Sequence, residues 1–224
     1  MIYKIALIGI IGIMSAINTA CTTERLKYTV LEEDGHFELR QYKKYIVAEV
    51  EVKGELKEAG NNAFRPLFNY ISGDNKMEVK LDAGEEVQQK ESKKIAMTAP
   101  VNQEKSGDKW LVSFVMPEEY KMKDLPKPND KNIKLREIPE KQVYAVRYSG
   151  GWSESSYKEH KEKLEDYIDS KNYKRIGEAI WARYNSPMTP KFMRRNEVLY
   201  EVKKIEKNEP SLMKKSELAE RQEK

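Results

Sequence analysis

An internal repeat is the feature that most constrains how this chain can fold. The segment FELRQYKKYIVAEV (37–50) aligns with IKLREIPEKQVYAV (133–146), about 96 residues later, with Arg40 over Arg136. In each half, alternating apolar residues predict two strands, and an apolar stripe at helical spacing then predicts a helix, followed by two more strands. Such a unit leaves one sheet face bare, so two copies are expected to bury those faces together. We therefore predict a pseudo-twofold duplication of a strand–strand–helix–strand–strand unit.

The two helices are predicted over 55–73 and 152–171, each after a glycine that ends a strand. Pro66 lies inside the first helix and is expected to interrupt it, because proline removes a backbone donor. Ser156 and Glu159 have the spacing of a capping box near the start of the second helix.

Two short segments that contain proline are expected to close strands. AMTAP (96–100) and ARYNSP (182–187) each end on a proline, which cannot donate to a strand ladder. The polar segment 72–93, which precedes the first of them, is predicted to be a loop.

Composition argues against one broad class of function. The chain is 39% hydrophobic and 35% charged, and its 41 basic and 37 acidic residues give a formal net charge of only +4. The charges of both signs are interspersed, and the sequence has neither zinc-ligand spacing nor an arginine-rich block. We therefore expect no nucleic-acid partner.

The N-terminus has the layout of a bacterial export signal. Residues 1–20 contain one positive charge, Lys4, and an apolar run over 5–17, which is shorter than the roughly 20 residues of a comfortable membrane span. The only cysteine, Cys21, follows two small residues as in a bacterial lipobox, although Asn18 stands where an apolar residue is usual. We predict a signal peptide over 1–20 and lipidation of Cys21. An uncleaved anchor helix and a secreted protein with a free thiol are the alternatives.

Lipidation would fix the protein to the cell envelope. Thr22 is not the acidic residue that would suggest retention at the inner membrane, so we expect an outer-membrane anchor with the protein facing the periplasm. A short linker, 21–27, would join the anchor to the folded part, and the mostly charged segment 206–224 is predicted to be a tail.

Four segments together resemble the SOUL haem-binding protein family. They are KIAMTAPV (94–101), FVMPEEY (114–120), YAVRYSGGWSE (144–154) and YNSPMTPKFMRRNEV (184–198). The resemblance extends from about Tyr28 to about Val202, so 28–205 is predicted to be one SOUL-like domain. It implies an α+β fold, a distorted antiparallel β-barrel with two helices. It also implies that haem or a related tetrapyrrole binds in a hydrophobic cleft.

By this resemblance, the cleft lies between the first helix and the segment before the last strand. The residues expected to line it are Phe64, Arg65, Leu67, Phe68 and Ile71, facing Tyr184, Pro187, Met188 and Phe192. Several of them would equally suit a plain core, because Phe64, Leu67, Phe68 and Ile71 have the spacing of one helix face.

The resemblance also implies basic groups on the first helix for the tetrapyrrole's two propionates. The corresponding positions here, Asn61 and Asn69, are neutral, which leaves Arg65 on that helix. Arg194 and Arg195 would substitute if their segment folds inward; otherwise they are solvated or pair with Glu197.

Two histidines are available as axial ligands of iron. His36 stands beside a glycine and is expected in an exposed turn. His160 lies on the apolar stripe of the second helix and is the better candidate, although a boundary histidine bonded to backbone would have the same position.

These observations predict a lipid-anchored envelope protein that binds or transfers haem and catalyses no reaction, because no nucleophile stands beside a base. One alternative is a module for another apolar small molecule, since the plan of the halves resembles effector-binding domains of bacterial regulators. The other is a structural or protein-interaction lipoprotein. Haem degradation would need an ordered iron ligand. The tetrapyrrole and the membrane are the expected partners, and no protein partner is indicated.

Overall fold

The computed structural model describes residues 23–78 and 90–206, which contain two α-helices and fourteen strands. The helices are α1 (Leu56–Ile71) and α2 (Glu154–Asp169). The strands are β1 (Glu24–Arg25), β2 (Thr29–Asp34), β3 (Phe37–Tyr42), β4 (Tyr45–Val52), β5 (Asn75–Glu78), β6 (Lys90–Glu91), β7 (Thr98–Ala99), β8 (Val101–Ser106), β9 (Lys109–Val115), β10 (Lys127–Pro128), β11 (Lys134–Ile138), β12 (Lys141–Tyr148), β13 (Tyr173–Arg183) and β14 (Asn196–Lys204). The fold is therefore α+β.

Nine strands form one antiparallel sheet in the order β11-β4-β9-β8-β13-β14-β12-β3-β2. The predicted barrel is wrong, because the sheet keeps two free edges, β11 and β2. All six residues of β2 are exposed, and Glu32, Glu33 and Asp34 place negative charge along that edge. Charged edge strands resist pairing with another strand, which explains why the sheet stays open.

Without β2, which has no counterpart at the other edge, the strand order reads the same from both ends when the two halves are exchanged. β11 of the second half joins β4 of the first, and β3 of the first joins β12 of the second. This order is compatible with the duplication, which itself stays a prediction. The predicted match of AMTAP to ARYNSP does not hold in detail, because Pro100 precedes β8 whereas Pro187 follows β13.

Helix α1 continues through Pro66 to Ile71, so the predicted interruption of the helix at this proline is wrong. Its buried residues share the side that packs on β4 and β9: Leu56, Ala59, Gly60, Ala63, Leu67, Tyr70 and Ile71. Helix α2 packs on β12, β13 and β14. Its cap is Ser153, whose hydroxyl accepts from the Ser156 amide at 3.2 Å, so the predicted capping box at Ser156 lies one turn too late.

The sheet has two different faces. The helix face is covered by α1 and α2 and carries Phe114, Trp181 and Val198 into their apolar cores. The far face packs on the N-terminal segment and carries a separate core. The members of that core are Tyr42, Val47, Ala99, Val115, Ile138, Val143, Ala145, Ala182, Tyr184 and Leu199.

The segment 72–93 is not the simple loop that its polarity predicted. β5 pairs with β6 and with β10, which gives a small separate sheet. Asn75 fixes its start, because its buried side-chain amide donates to the Tyr70 and Lys93 carbonyl oxygens at 2.7 and 2.8 Å. Local propensity did not reveal this pairing, which depends on a strand more than 30 residues further along the chain.

The predicted signal peptide, Cys21 and most of the charged tail lie outside the described residues. Neither α1 nor α2 has the length and apolar content that a membrane-spanning helix needs.

Candidate functional site

On the helix face, α1 packs on β4 and β9 and α2 packs on β12, β13 and β14, and we call the region between the two helices the seam. Its floor is formed by β8 and by the end of β13, at the centre of the sheet. Gln103 of β8 is buried there: its amide nitrogen donates to the Leu56 carbonyl oxygen at 2.6 Å, and its amide oxygen accepts from Arg183 Nη2 at 3.3 Å. The seam therefore joins the start of α1 to the end of β13.

Arg183 is the central charge of this seam. Its guanidinium lies 5.0 Å from the ring centre of Trp181 and 5.5 Å from that of Trp152. Its Nε atom is buried without a hydrogen-bond partner, and no carboxylate among residues 23–78 and 90–206 forms an ion pair with it. Burial without a counter-charge lowers the pKa of Arg183 to about 10. A charge in this position would be stabilised by an anion.

A glycine allows α1 to lie close to Arg183. A Cβ atom on Gly60 would come within 2.8 Å of the Gln103 amide oxygen and 2.9 Å of Arg183 Nη2. A larger residue would displace the ends of these two side chains, so Gly60 leaves the room that they occupy beneath α1.

Next to Gly60, α1 presents two exposed aromatic rings. Phe64 and Phe68 are 41% and 46% exposed, and their rings stack with centres 5.7 Å apart. The edge of Phe64 also packs on Phe114 of β9, with ring centres 5.3 Å apart. Together the two exposed rings form an apolar surface that a flat apolar ligand could cover.

The segment 185–195 forms the other side of the seam. Arg194 stacks on Trp152 with its guanidinium 4.4 Å from the ring centre, so Arg183 and Arg194 contact the same indole. Arg194 also donates to the carbonyl oxygens of Thr189 and Pro187 at 2.8 and 2.7 Å. Trp152 in turn donates to the Asn196 side-chain oxygen at 2.9 Å. These contacts fix the segment against the N-terminal end of α2.

The structure brings together only part of the predicted cleft. Phe64, Phe68 and Arg65 are exposed on α1, whereas Leu67 and Ile71 lie beneath the helix in the core, 0% and 3% exposed. Tyr184, the residue after β13, lies on the far face, because successive side chains of a strand point to opposite faces and Arg183 points to the helix face. Its hydroxyl donates to Glu197 Oε2 at 2.9 Å.

Met188 and Phe192, the remaining predicted apolar contacts, point into solvent. They are 90% and 78% exposed, at the outer end of the 185–195 segment, and Pro187 is exposed beside them. Arg194 is half-buried and bonded to this segment, and Arg195 pairs with Glu197, one of the outcomes that the sequence left open.

His160, the predicted axial candidate, is half-buried and held on two sides. Its ring stacks almost flat on Tyr148, with centres 3.8 Å apart, and its Nδ1 lies 2.7 Å from the Ser156 carbonyl oxygen. Because that carbonyl can only accept, Nδ1 carries the proton and Nε2 keeps the lone pair. His36 is exposed at the turn between β2 and β3. The described residues contain no group of three histidine, cysteine or acidic side chains that could bind a metal together.

Sequence reasoning missed Arg183, Gln103, Gly60 and the two tryptophans. One signal was present: Trp181 and Arg183 are two residues apart in a predicted strand, so they must share a face. The contribution of Gly60 depends on how closely α1 packs, which the sequence does not encode locally.

On the far face, by contrast, the buried charges of Arg40 and Glu197 are paired with each other. Arg40 donates from both terminal nitrogens to Glu197, at 2.7 and 2.9 Å, and Arg195 binds the same carboxylate at 2.7 Å. Burial opposes the charge on Glu197, but the hydrogen bonds and positive charges of Arg40 and Arg195 together outweigh it and lower the pKa of that carboxyl. Burial likewise opposes the charge on Arg40, and its bonds to Glu197 nevertheless raise its pKa.

Two cavities open on the far face. One of about 560 Å³ lies between the N-terminal segment and the ends of β4 and β9, and one of about 360 Å³ lies over β8 and β13. Tyr45 lines both. None of the predicted cleft residues lines either of them.

Comparison with known proteins gives one family match. The model of a family described as SOUL heme-binding protein matches residues 23–201. No curated protein matches the chain.

Solved structures with a similar fold are distant in sequence. The EcmrR C-terminal domain superposes with a TM-score of 0.53 at 11% identity, covering 80% of this chain and 99% of that one. A hydrolase from Listeria innocua gives a TM-score of 0.53 at 13% identity, covering 77% and 94%. A second structure of a Listeria innocua hydrolase gives 0.52 at 13% identity, covering 75% and 91%. At this identity the likeness concerns the fold alone.

Proposed function

The chain belongs to the SOUL heme-binding protein family, and from that premise we propose that it binds haem or a related tetrapyrrole in the seam between α1 and α2. The tetrapyrrole plane would cover Phe64 and Phe68, and a propionate would approach Arg183. The protein would hold or hand on the ligand without catalysing a reaction.

The observation that carries the proposal is Arg183, which has no carboxylate partner among the described residues, beside an exposed aromatic pair. A tetrapyrrole presents a flat apolar surface and two carboxylates, and the seam offers the complement of each. A propionate would supply the anion that Arg183 lacks, in a charge-assisted hydrogen bond. This partner lies on β13, so the neutral residues Asn61 and Asn69 on α1 do not argue against binding.

One described side chain could bind the iron of haem. His160 Nε2 is the candidate donor, because Nδ1 is committed to a backbone carbonyl. Iron would add an axial bond to the apolar and ionic contacts, while the protein's own residues supply orientation and exclude water. Binding of iron-free protoporphyrin would show how much affinity the seam provides without that bond.

The envelope location is part of the same proposal. Residues 1–20 would act as a signal peptide, and Cys21 would be lipidated and hold the protein at the outer membrane, facing the periplasm. Its support is the position of the chain's only cysteine directly after an apolar run and two small residues. If membrane fractionation of the Cys21→Ser variant is unchanged, the lipid anchor is excluded.

A second candidate is a binding module for another apolar small molecule. The far-face cavity of about 560 Å³ favours it, since a cavity of this size can enclose a ligand. Coloured protein from expression would favour the tetrapyrrole. A ligand whose binding is lost on substitution of Tyr45, which lines this cavity, would favour the alternative.

Hemin titration of the full chain tests the proposal. We expect a Soret shift that saturates at one equivalent, and Phe68→Ser should weaken binding about tenfold, because its exposed ring would lie under the ligand. Leu31→Ser is the matched control, since Leu31 is also 46% exposed but lies on β2. No shift at a protein concentration of about 10 µM, within the range of specific ligand affinities, would exclude haem.

A further inference from the structure

The outer end of the 185–195 segment presents three large apolar side chains to solvent. Met188, Phe192 and Met193 are 90%, 78% and 63% exposed. These are the three highest values among the exposed large hydrophobic residues of the described chain, and they fall within six consecutive positions. We call the surface formed by these three side chains the apolar tip. An apolar surface concentrated in this way is typical of an interaction site.

The exposure is imposed by the fold of the segment. Its backbone is bonded internally: the Thr189 amide donates to the Ser186 carbonyl oxygen at 3.0 Å, and the Met193 amide donates to the Pro190 carbonyl oxygen at 2.9 Å. The Gly150 amide donates to the Lys191 carbonyl oxygen at 3.0 Å, which ties the tip to the start of α2. Because these polar groups are satisfied within the protein, the apolar side chains could enter an apolar phase without exposing unpaired backbone.

The charged residues within the segment itself are all basic. Residues 182–196 include Arg183, Lys191, Arg194 and Arg195 and no acidic residue, in a chain with 37 acidic residues. Lys191 is exposed between Met188 and Phe192. An exposed cation between apolar side chains is the arrangement that suits an anionic phospholipid surface, where the apolar groups enter the interface and the cation meets the headgroups.

The first described strand, β1, lies at the same end of the sheet as this segment. Arg25 of β1 pairs with Ala99, two residues before Val101, and Val101 pairs with Arg183, after which the 185–195 segment begins. The segment and the start of the chain are also in contact, because Arg195 Nη2 donates to the Tyr28 hydroxyl at 2.8 Å. A chain held to a bilayer by its N-terminus could therefore bring the tip to the same bilayer.

From these observations we propose that the apolar tip inserts into the interface of an anionic phospholipid bilayer. The tip is separate from Phe64, Phe68 and Arg183, so this inference goes beyond tetrapyrrole binding and does not depend on it. It gives the exposed Met188 and Phe192 a partner that the seam does not supply.

The test places a reporter on the tip of the full chain. A polarity-sensitive fluorophore is attached to Phe192→Cys in a Cys21→Ser background, and the protein is mixed with phosphatidylglycerol vesicles that contain brominated acyl chains. We expect quenching at least about fivefold greater than for the same label on Leu31→Cys, because only the tip would reach the acyl chains. Residues 1–20 are present in both labelled variants, so any effect of this segment on membrane binding is the same for both.

Met188→Cys provides a second label position if Phe192→Cys perturbs the segment. Equal quenching of the labels at positions 192 and 31 overturns the proposal. The proposal is also overturned if the ratio of quenching at these two positions is the same in phosphatidylcholine vesicles as in phosphatidylglycerol vesicles, because the charge of Lys191 would then have no effect. Shielding of the label without vesicles, increasing with protein concentration, would show that a second copy covers the tip and would also overturn it. None of these outcomes bears on the hemin titration, which uses no lipid.

Discussion

Two buried arginines on opposite faces of one sheet have opposite surroundings. Arg40 on the far face is 0% exposed and binds both oxygens of Glu197, with a further ion pair to Glu38 at 2.6 Å. Arg183 on the helix face has two indole rings, a 3.3 Å contact to Gln103 and a buried Nε without a partner. The pKa of Arg40 is raised and that of Arg183 is lowered, to about 10.

The difference separates a structural charge from one that can act on a ligand. A buried ion pair with complete hydrogen bonding stabilises the fold only as long as both partners remain. A desolvated cation without an anion costs free energy in the empty protein, and a bound carboxylate recovers it. The far-face network is therefore expected to control stability, and the seam to control binding.

Removing the anion of the far face should have the largest effect. We expect Glu197→Gln to lower the free energy of unfolding by about 3–5 kcal/mol, because Arg40 and Arg195 would keep buried charges without their partner. Urea denaturation measures the loss. Glu137→Gln is the control, since its ion pair with Lys44 at 3.5 Å is exposed and should contribute less than about 1 kcal/mol. A small effect of Glu197→Gln would remove the contrast between the faces.

A methyl group at the seam should have the next largest effect. Gly60→Ala is expected to destabilise the protein by about 1–3 kcal/mol, despite the better helix propensity of alanine, because the new Cβ would meet Gln103 and Arg183 below 3.0 Å. Asn61→Ala, an exposed neighbour on the same helix, should leave stability unchanged or raise it slightly. Thermal unfolding of both variants gives the comparison, and equal melting temperatures would show that α1 does not pack so closely.

Two buried tyrosine hydroxyls sharpen the comparison further. Tyr184→Phe on the far face should cost about 1.5 kcal/mol, since its hydroxyl donates to the Glu197 carboxylate. Tyr148→Phe on the helix face should be neutral or stabilising, because its buried hydroxyl makes no hydrogen bond of normal geometry. Denaturant midpoints of the two variants provide the measurement. The reverse ranking would contradict the assignment of the two faces.

Acid should weaken the ion-pair network around Glu197. The pKa of Glu197 is lowered in the fold, so its stabilisation is complete above the ordinary carboxyl pKa of 4.5 and is lost as the pH falls through the lower, folded value. Below pH 4.5 the stability difference between the wild type and Glu197→Gln should shrink by about 1.4 kcal/mol per pH unit. Arg183 does not titrate in this range. A difference independent of pH would show that Glu197 is not held as a carboxylate.

The sequence predicted the parts of the fold that depend on local patterns. Alternating apolar residues located β3, β4, β9, β11, β12 and β14 closely, although β4 and β14 are buried on both of their faces. The barrel was wrong because closure depends on whether the edge strands pair, and the exposed charges of β2 oppose that. The capping residue of α2 was displaced by one turn because three serines near its start offer the same chemistry.

The candidate site was predictable only in part, because it is formed by packing across distant segments. Phe64 and Phe68 followed from the helical period, together with a resemblance that named their face. Arg183 did not, since its importance comes from the absence of a carboxylate among its neighbours in the part of the chain that the structure describes. A missing partner in the folded protein leaves no local pattern in the sequence. An apolar helix face does leave one, because its residues recur at helical spacing.

The central claim is that Arg183 binds a carboxylate of the ligand. It is tested by comparing hemin with hemin dimethyl ester, which lacks both carboxylates, on the wild type and on Arg183→Met. Arg147→Met, an exposed arginine on β12, is the control for removing a positive charge. We predict that the wild type and Arg147→Met bind hemin about 10–100-fold more tightly than the ester, and that Arg183→Met loses this preference. If Arg183→Met still prefers hemin to the same extent, the claim is contradicted.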